Sequence, residues 1–208
     1  MSATTQLQPL TRRATAEYRT ASANQINEGH AWYPNAHSIA RDMAVEHMVT
    51  IEVAAGVLAA LSPRTGWGKN VMYAERMLSS AGTLDRGMLS RSLAHGRAIY
   101  DGTPALDVLQ GPKTRAFYSA ILSSGESPDP VIDIHAWAML VGDRSSKGPR
   151  GITEYRAAAK CMLRAASILD VGCHEVQAVT WLTWRARYWK SGTHDHRPQL
   201  MLEGASSW

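Results

Sequence analysis

Residues 50–61, TIEVAAGVLAAL, constrain the fold most, because this run has the length of a helix and is almost wholly apolar. A surface helix keeps one polar face, whereas a helix that is apolar all round has to be covered by other elements. The run ends at Ser62 and Pro63, since a residue before proline avoids the helical conformation. The segment therefore predicts a central helix that its neighbours bury.

The rest of the chain shows the spacing of helices and no alternation typical of strands. Apolar residues recur at helical intervals in several further runs: residues 36–48 with Pro34 near the start, 70–78, 88–100, 103–109, 152–168 and 171–189. We therefore predict an all-α fold. Residues 1–12 are expected to be a flexible leader, a first short helix is expected near residues 11–24, residues 13–191 should form a single helical domain, and residues 192–208 should be a loose tail.

Composition excludes some classes of protein. Cys161 and Cys173 are too few for a disulfide framework or a four-cysteine metal or iron–sulfur site, so we expect two buried, reduced thiols. No apolar run reaches the roughly 20 residues of a membrane span, and the N-terminal segment lacks the apolar core of a signal peptide. We expect no membrane association and a location inside the cell. The net charge of +4 is compatible with nucleic acid binding.

Residues 109–142 contain the two motifs that carry chemistry. In the first, Gly111 and Pro112 form a turn before an apolar helical run, and Lys113, Thr114 and Arg115 follow in the first turn of that helix. Backbone N–H groups at the start of a helix favour an anion, so a DNA phosphate could dock there without any base being read. The same pattern also occurs where two helices are merely joined.

The second motif is an acid within apolar residues. Asp133 follows Val131 and Ile132 and precedes Ile134, where another helix is expected to begin. Such a carboxylate either caps the helix or reacts in a partly apolar site, and the two roles are compatible. His135, two residues further on, either supports this segment or handles a proton.

Three segments, in this order, resemble the helix-hairpin-helix DNA glycosylase superfamily, which includes endonuclease III and the adenine-mismatch and 8-oxoguanine glycosylases. Residues 53–78 are similar to an early helix, a serine-containing loop and the next helix of that family. LQGPKTRA at residues 109–116 looks like its hairpin, and VIDIHAW at residues 131–137 is similar to its apolar-Asp-x-His-x-aromatic segment. The resemblance covers about residues 50–142.

The resemblance implies a two-lobed helical enzyme that binds double-stranded DNA and takes a base, modified or damaged, out of the stack. Asp133 would be the catalytic carboxylate, and Gly111 with the amides near Lys113 would hold a phosphate. Ser62 and Arg64 would lie in the loop that touches the duplex. Trp67 and Asn70 would either line the base pocket or hold that loop.

This chain also departs from the family pattern. Its hairpin keeps only one glycine, Gly111. In bifunctional members a lysine in the first turn of the second helix forms a Schiff base. Aligning Ala116 with the family's small residue puts Thr114 at that position, whereas a shifted gap puts Lys113 there. We expect a monofunctional enzyme, a monomer with no cofactor and no metal.

Three functions remain open on the sequence. The first is cleavage of an N-glycosidic bond. The second is base hypermodification as in bacteriophage relatives of this superfamily, in which a small amine or amino acid is joined to an activated 5-hydroxymethyl pyrimidine. The third is a DNA-binding module without catalysis. Three tryptophans of the last predicted helix are expected to pack in the core, with base stacking as the alternative: Trp181, Trp184 and Trp189. The tract His194, Asp195, His196 lies in the predicted tail, and we expect it to be incidental.

Overall fold

The computed structural model describes residues 3–83 and 89–188, and these residues contain helices and no strand. The prediction of an all-α fold is therefore confirmed. The helices are α1 Ala3–Arg19, α2 Ala23–Glu46, α3 Ile51–Leu61, α4 Trp67–Ser79, α5 Ser90–Tyr100, α6 Ala105–Val108, α7 Pro112–Leu122, α8 Ile134–Val141, α9 Ile152–Leu169 and α10 Cys173–Tyr188. Trp189 and the tract at residues 194–196 lie outside the described residues.

The described helices belong to two compact units. Unit 2 is the continuous segment Pro34–Ser124, and unit 1 contains the described residues up to Tyr33 and from Gly125 onward. The boundary near residue 33 falls inside α2, at its internal proline, Pro34.

Unit 2 is built around α3. This helix contacts α4, α5, α6 and α7, and every residue from Ala54 to Leu61 is buried. Thr50 caps its first turn by accepting a hydrogen bond from the amide of Val53 at 3.4 Å. The central buried helix predicted from residues 50–61 is confirmed, because an apolar run without a polar face can only be accommodated in this way.

Unit 1 packs α1, α8, α9 and α10 together. Its core includes Ala14, Ile132, Leu140, Met162 and Val176.

The start of the chain differs from the sequence prediction. Residues 1–12 were expected to be a flexible leader, yet α1 begins at Ala3. Leu7, Leu10 and Ala14, at helical spacing, all pack into the core of unit 1. This apolar face has only two leucines among polar neighbours, so its period was too weak to be recognised in the sequence.

The second helix also starts earlier than predicted, at Ala23 and not near Pro34. Gly29 and Pro34 belong to residue types that usually occur in turns, yet both lie within α2. No single described helix is long and apolar enough to cross a membrane, although α2 and α3, with a 119° bend between them, meet the length and composition criteria as a pair.

Candidate functional site

The segment before Asp133 is fixed by a buried tyrosine. The hydroxyl of Tyr155 donates to the carbonyl of Pro130 at 3.2 Å and accepts from the amide of Ile132 at 3.3 Å. Val131 and Ile132 are buried beside it. Hydrogen bonds and burial thus fix the backbone up to residue 132, and this fixed backbone determines the position of Asp133.

Asp133 is the N-cap residue of α8, with extended backbone. Its Oδ1 accepts a hydrogen bond from the amide of Ala136 at 2.7 Å, and its Oδ2 accepts from the indole Nε1 of Trp181 at 3.2 Å. The side chain is half-buried. The predicted capping role is thus confirmed, and each oxygen keeps a further lone pair for another partner. The catalytic role stays a prediction.

Trp181 also contacts two other polar side chains. The guanidinium of Arg185, one helical turn later, lies over the indole face with its Cζ 4.5 Å from the ring centroid. The ring of His135 meets the same indole edge to face, with centroids 6.5 Å apart. Burial lowers the pKa of Arg185, and the negative charge of Asp133 acts against this shift. Asp133, His135 and Arg185 are therefore gathered around one indole.

Two buried phenols lie near this carboxylate. Tyr33 donates to Oε1 of Gln177 at 2.8 Å, and burial, with Asp133 as a smaller cause, raises its pKa well above the usual value. Burial also raises the pKa of Tyr155, to about 12. Both phenols remain neutral at physiological pH, so they add dipoles and no charge to the surroundings of Asp133.

His174 packs against the Tyr33 ring, with centroids 4.8 Å apart, and is 2% exposed. Burial lowers its pKa, and the Ser127 backbone acts against this shift. A neutral imidazole therefore sits in the interior of unit 1.

Sequence reasoning missed Tyr155 and Arg185, and it assigned Trp181 to packing. These residues lie on α9 and α10, far along the chain from Asp133, and nothing in the spacing of α8 points to them.

The hairpin residues belong to unit 2. Gly111 is the exposed N-cap residue of α7, whose first turn has no side-chain cap, and Pro112 follows at the first helical position. Thr114 donates back to the carbonyl of Gly111 at 2.9 Å. Arg115 donates to the carbonyls of Leu106 and Leu109, so its guanidinium closes the hairpin itself.

Lys113 is directed along the hairpin toward the end of α3. Its Nζ donates to Oγ of Ser62 at 2.9 Å and lies 5.1 Å from the centroid of the Phe117 ring. Ser62 is buried and donates in turn to the carbonyl of Ala59. Arg64, two residues later, is exposed with a φ of 60°. Of the two loop residues predicted to approach DNA, only Arg64 is therefore at the surface.

Trp67 and Asn70 are core residues of unit 2, 5% and 1% exposed. Trp67 packs edge to face on Phe117, and Nδ2 of Asn70 donates to the carbonyl of Leu58 at 3.0 Å. Of the two predicted roles, holding the loop in place fits these contacts. Oδ1 of Asn70 is buried without a hydrogen-bond partner among the described residues.

Among the described residues, one group has the composition of a metal site. Ligand atoms of Glu46, His47 and Glu75 all lie within 4.8 Å of one another. Nε2 of His47 is paired with Oε1 of Glu75, so these two side chains already satisfy each other. Both cysteines are free, Cys161 buried and Cys173 half-buried, and burial raises the pKa of each thiol.

The predicted site residues thus fall into two sets. Asp133 and His135 lie in unit 1, where Trp181 connects them, whereas the hairpin and loop residues, Trp67 and Asn70 lie in unit 2.

Comparison with known proteins identifies a family for this chain. No curated protein and no solved structure matches the chain. The model of DUF7178, a family of unknown function, matches residues 1–188. This span is most of the chain, and the protein therefore belongs to the DUF7178 family.

Proposed function

We propose that the protein is a DNA base-directed enzyme of the helix-hairpin-helix glycosylase type. It flips a modified or damaged base out of the duplex and cleaves the N-glycosidic bond, with Asp133 as the catalytic carboxylate. The proposal includes the two-lobed fold of those glycosylases, for which the short α6, the turn at Gly111 and the longer α7 supply the hairpin.

The observation that carries the proposal is the way Asp133 is held. Its carboxylate is half-buried, and two N–H donors, the amide of Ala136 and the indole of Trp181, each engage one oxygen. A cap that served only the helix would need one of these bonds. The second donor fixes the rotation of the carboxylate, and such fixation is what a reacting group requires.

The chemistry follows from the charge. When the bond between the sugar and the base breaks, its electron pair leaves with the base and the sugar becomes cationic. A fixed carboxylate stabilises that cation, and it also accepts a proton from the water that adds to the sugar. His135 lies on the same helix turn and is the second candidate for proton handling.

Lys113 supports a monofunctional enzyme. Its ammonium group donates to Ser62 and lies beside Phe117, which occupies it in a structural contact. Thr114, at the other possible position of the Schiff-base lysine, has no amine. We therefore propose base release without cleavage of the DNA strand.

The surroundings of Asp133 favour one second candidate. A carboxylate beside a guanidinium suits base hypermodification of an activated 5-hydroxymethyl pyrimidine. In that reaction the nitrogen of a small amine or amino acid bonds to the methylene carbon, the activated oxygen leaves as an anion, and Asp133 accepts the proton from the nitrogen. Arg185 would stabilise the departing anion.

The deciding experiment uses genomic DNA that contains modified bases. The wild type, Asp133→Asn and the control Asp129→Asn are each incubated with it, and released bases, abasic sites and altered nucleosides are measured by mass. Asp129 is an exposed acid four residues earlier, so it controls for loss of a charge on the same segment. We expect base release by the wild type and Asp129→Asn, and none by Asp133→Asn.

Other outcomes assign other functions. A gain of mass on the base with an intact backbone indicates the transferase. Equal behaviour of the wild type and Asp133→Asn in turnover, with DNA binding retained, identifies a binding module and contradicts both enzymatic proposals.

A further inference from the structure

Arg185 is half-buried, yet its guanidinium forms no hydrogen bond or ion pair with any residue in the described part of the chain. Its packing partner is the face of Trp181, at 4.5 Å. A guanidinium carries five N–H donors in a planar fork, and a stacked ring leaves the donors at the edge of the fork available.

Other arginines of unit 1 that contact folded elements do have acceptors. Arg13 donates to the carbonyls of Leu140 and Val141, and Arg187 donates to Glu17 and Thr20. Even partial removal of a guanidinium from water is unfavourable when no protein acceptor replaces the lost hydrogen bonds. The position of Arg185 is therefore one where a ligand would supply what the protein does not.

Asp133 does not neutralise this cation. Its two oxygens are engaged by the amide of Ala136 and the N–H edge of Trp181, and it forms no ion pair with Arg185. The same indole thus holds a carboxylate at its edge and a guanidinium at its face. The charges influence each other, since Asp133 counteracts the lowering of the pKa of Arg185, and they remain separate.

We propose that Arg185 binds a phosphoryl oxyanion of the substrate next to Asp133. The inference rests on the proposed function, in which Asp133 reacts with a nucleotide. The fork of a guanidinium matches two phosphate oxygens, and partial burial strengthens the attraction. The oxyanion belongs either to the DNA backbone or to a free phosphorylated group, and the chemistry of recognition is the same for both.

The test compares Arg185→Gln with the wild type. Glutamine keeps a planar end group on the indole and removes the charge. Arg144→Gln is the matched control, because Arg144 also stacks on an aromatic ring, that of Tyr188 at 4.7 Å, but is exposed and donates to the Tyr188 carbonyl. Circular dichroism and thermal melting first establish that both variants are folded.

Two measurements distinguish the two sources of the oxyanion. If the group is free, inorganic phosphate binds the wild type in calorimetry, and Arg185→Gln weakens it at least about tenfold, the loss of one charge-assisted hydrogen bond. If it is a backbone phosphate, Arg185→Gln weakens duplex binding and reduces the slope of log affinity against log salt by about 0.9. Arg144→Gln should change neither quantity.

Unchanged phosphate affinity together with an unchanged salt slope in Arg185→Gln overturns the inference, as does a wild type that binds neither ligand. Failure of the proposed function gives a different result. In that case phosphate or DNA binds through Arg185, while the wild type and Asp133→Asn show the same absence of turnover.

Discussion

Trp181 connects three groups through one side chain, with Asp133 at its N–H edge, Arg185 over its face and His135 against its ring. Trp181→Phe keeps most of the packing and removes the hydrogen bond to Oδ2 of Asp133. A hydrogen bond to a charged group contributes about 1.5–3 kcal/mol, so we expect the turnover rate for base release to fall at least about tenfold. Single-turnover kinetics with saturating enzyme measure this rate.

Trp184→Phe is the control for this substitution. Trp184 is 5% exposed, and its indole N–H has no acceptor among the described residues. Phenylalanine therefore loses no hydrogen bond there, and turnover should match the wild type. Equal turnover in the wild type and Trp181→Phe would show that the indole does not position the carboxylate.

Tyr155 makes stability depend on alkaline pH. Its pKa is raised to about 12, whereas the unfolded chain has the ordinary value near 10. Above pH 10 the unfolded state loses a proton that the folded state keeps, so the free energy of unfolding falls as pH rises from 10 toward 12. In Tyr155→Phe this contribution is absent.

Urea unfolding of Tyr155→Phe at neutral pH should show a loss of about 1–2 kcal/mol, because two hydrogen bonds to the segment before Asp133 are removed. Between pH 9 and 11 its stability should fall less steeply than that of the wild type. Parallel curves for the two proteins would contradict the assignment of this pH dependence to Tyr155.

The sequence could identify Asp133, because an acid between apolar residues is rare and its position before a helix is local information. It could not identify the partners of that acid. Trp181 and Arg185 lie on α10, and a tryptophan on an amphipathic helix looks the same whether its N–H is idle, as in Trp184, or holds a carboxylate. Only the packing of α8 against α10 distinguishes them.

At the scale of elements, two glycines illustrate different constraints. Gly29 on α2 faces α10 so closely that an added Cβ would lie 2.3 Å from Cγ2 and 2.8 Å from the amide nitrogen of Val179. Gly111 is exposed, has ordinary extended backbone, and an added Cβ would meet only Oγ1 of Thr114, at 3.5 Å. Close packing therefore explains why residue 29 is a glycine, and it does not explain why residue 111 is one.

We therefore expect alanine substitutions at the two glycines to affect the free energy of unfolding differently. Gly29→Ala should lower the free energy of unfolding by about 1–3 kcal/mol, since backbone atoms would have to move. Gly111→Ala should change stability by less than about 1 kcal/mol, because the restriction of the unfolded chain is offset by the weaker preference of alanine for the N-cap position. If a phosphate rests on the amides at the start of α7, Gly111→Ala should nevertheless weaken duplex binding, measured by fluorescence anisotropy. Unchanged binding would remove Gly111 from the proposed DNA contacts.

The predictability of each helix followed the strength of its apolar pattern. α3 could be predicted because the lack of a polar face by itself implies that neighbouring helices cover it on all sides. α1 could not be predicted in the same way, because its two leucines stand among polar residues and form a buried face only through the packing of α1 against α9. The early start of α2 could not be predicted, because Gly29 and Pro34 usually disfavour the interior of a helix, and packing overrides this effect here.

In the molecule as a whole, one of the two compact units is discontinuous in sequence, which no local pattern of residues indicates. Unit 1 combines both ends of the described chain, and unit 2 is the segment between them. Composition and periodicity report on local order, while this division depends on contacts between α1 and α9, which are more than 130 residues apart. Sequence patterns could therefore predict a helical domain over residues 13–191 but not how its helices group into units.

The net charge of +4 is too small to account by itself for the proposed DNA binding, so individual cations should determine most of the salt dependence of that binding. Arg64 is the clearest test. It is exposed, and its φ of 60° is a conformation that costs a residue other than glycine about 1 kcal/mol. Strained backbone positions occur often at functional sites, and this loop is the one predicted to approach DNA. Arg64→Gly should raise the free energy of unfolding by up to about 1 kcal/mol and yet lower duplex affinity, with the slope of log affinity against log salt reduced by about 0.9. Urea unfolding and anisotropy titrations at several salt concentrations measure the two effects.

Arg97→Gln is the control for this substitution. Arg97 is an exposed cation of unit 2 that is already paired with Asp101, so its removal should leave the slope unchanged, whereas Arg41→Gly is unsuitable because Arg41 lies within α2. A stabilised Arg64→Gly with wild-type affinity and slope would mean that this loop does not contact the duplex.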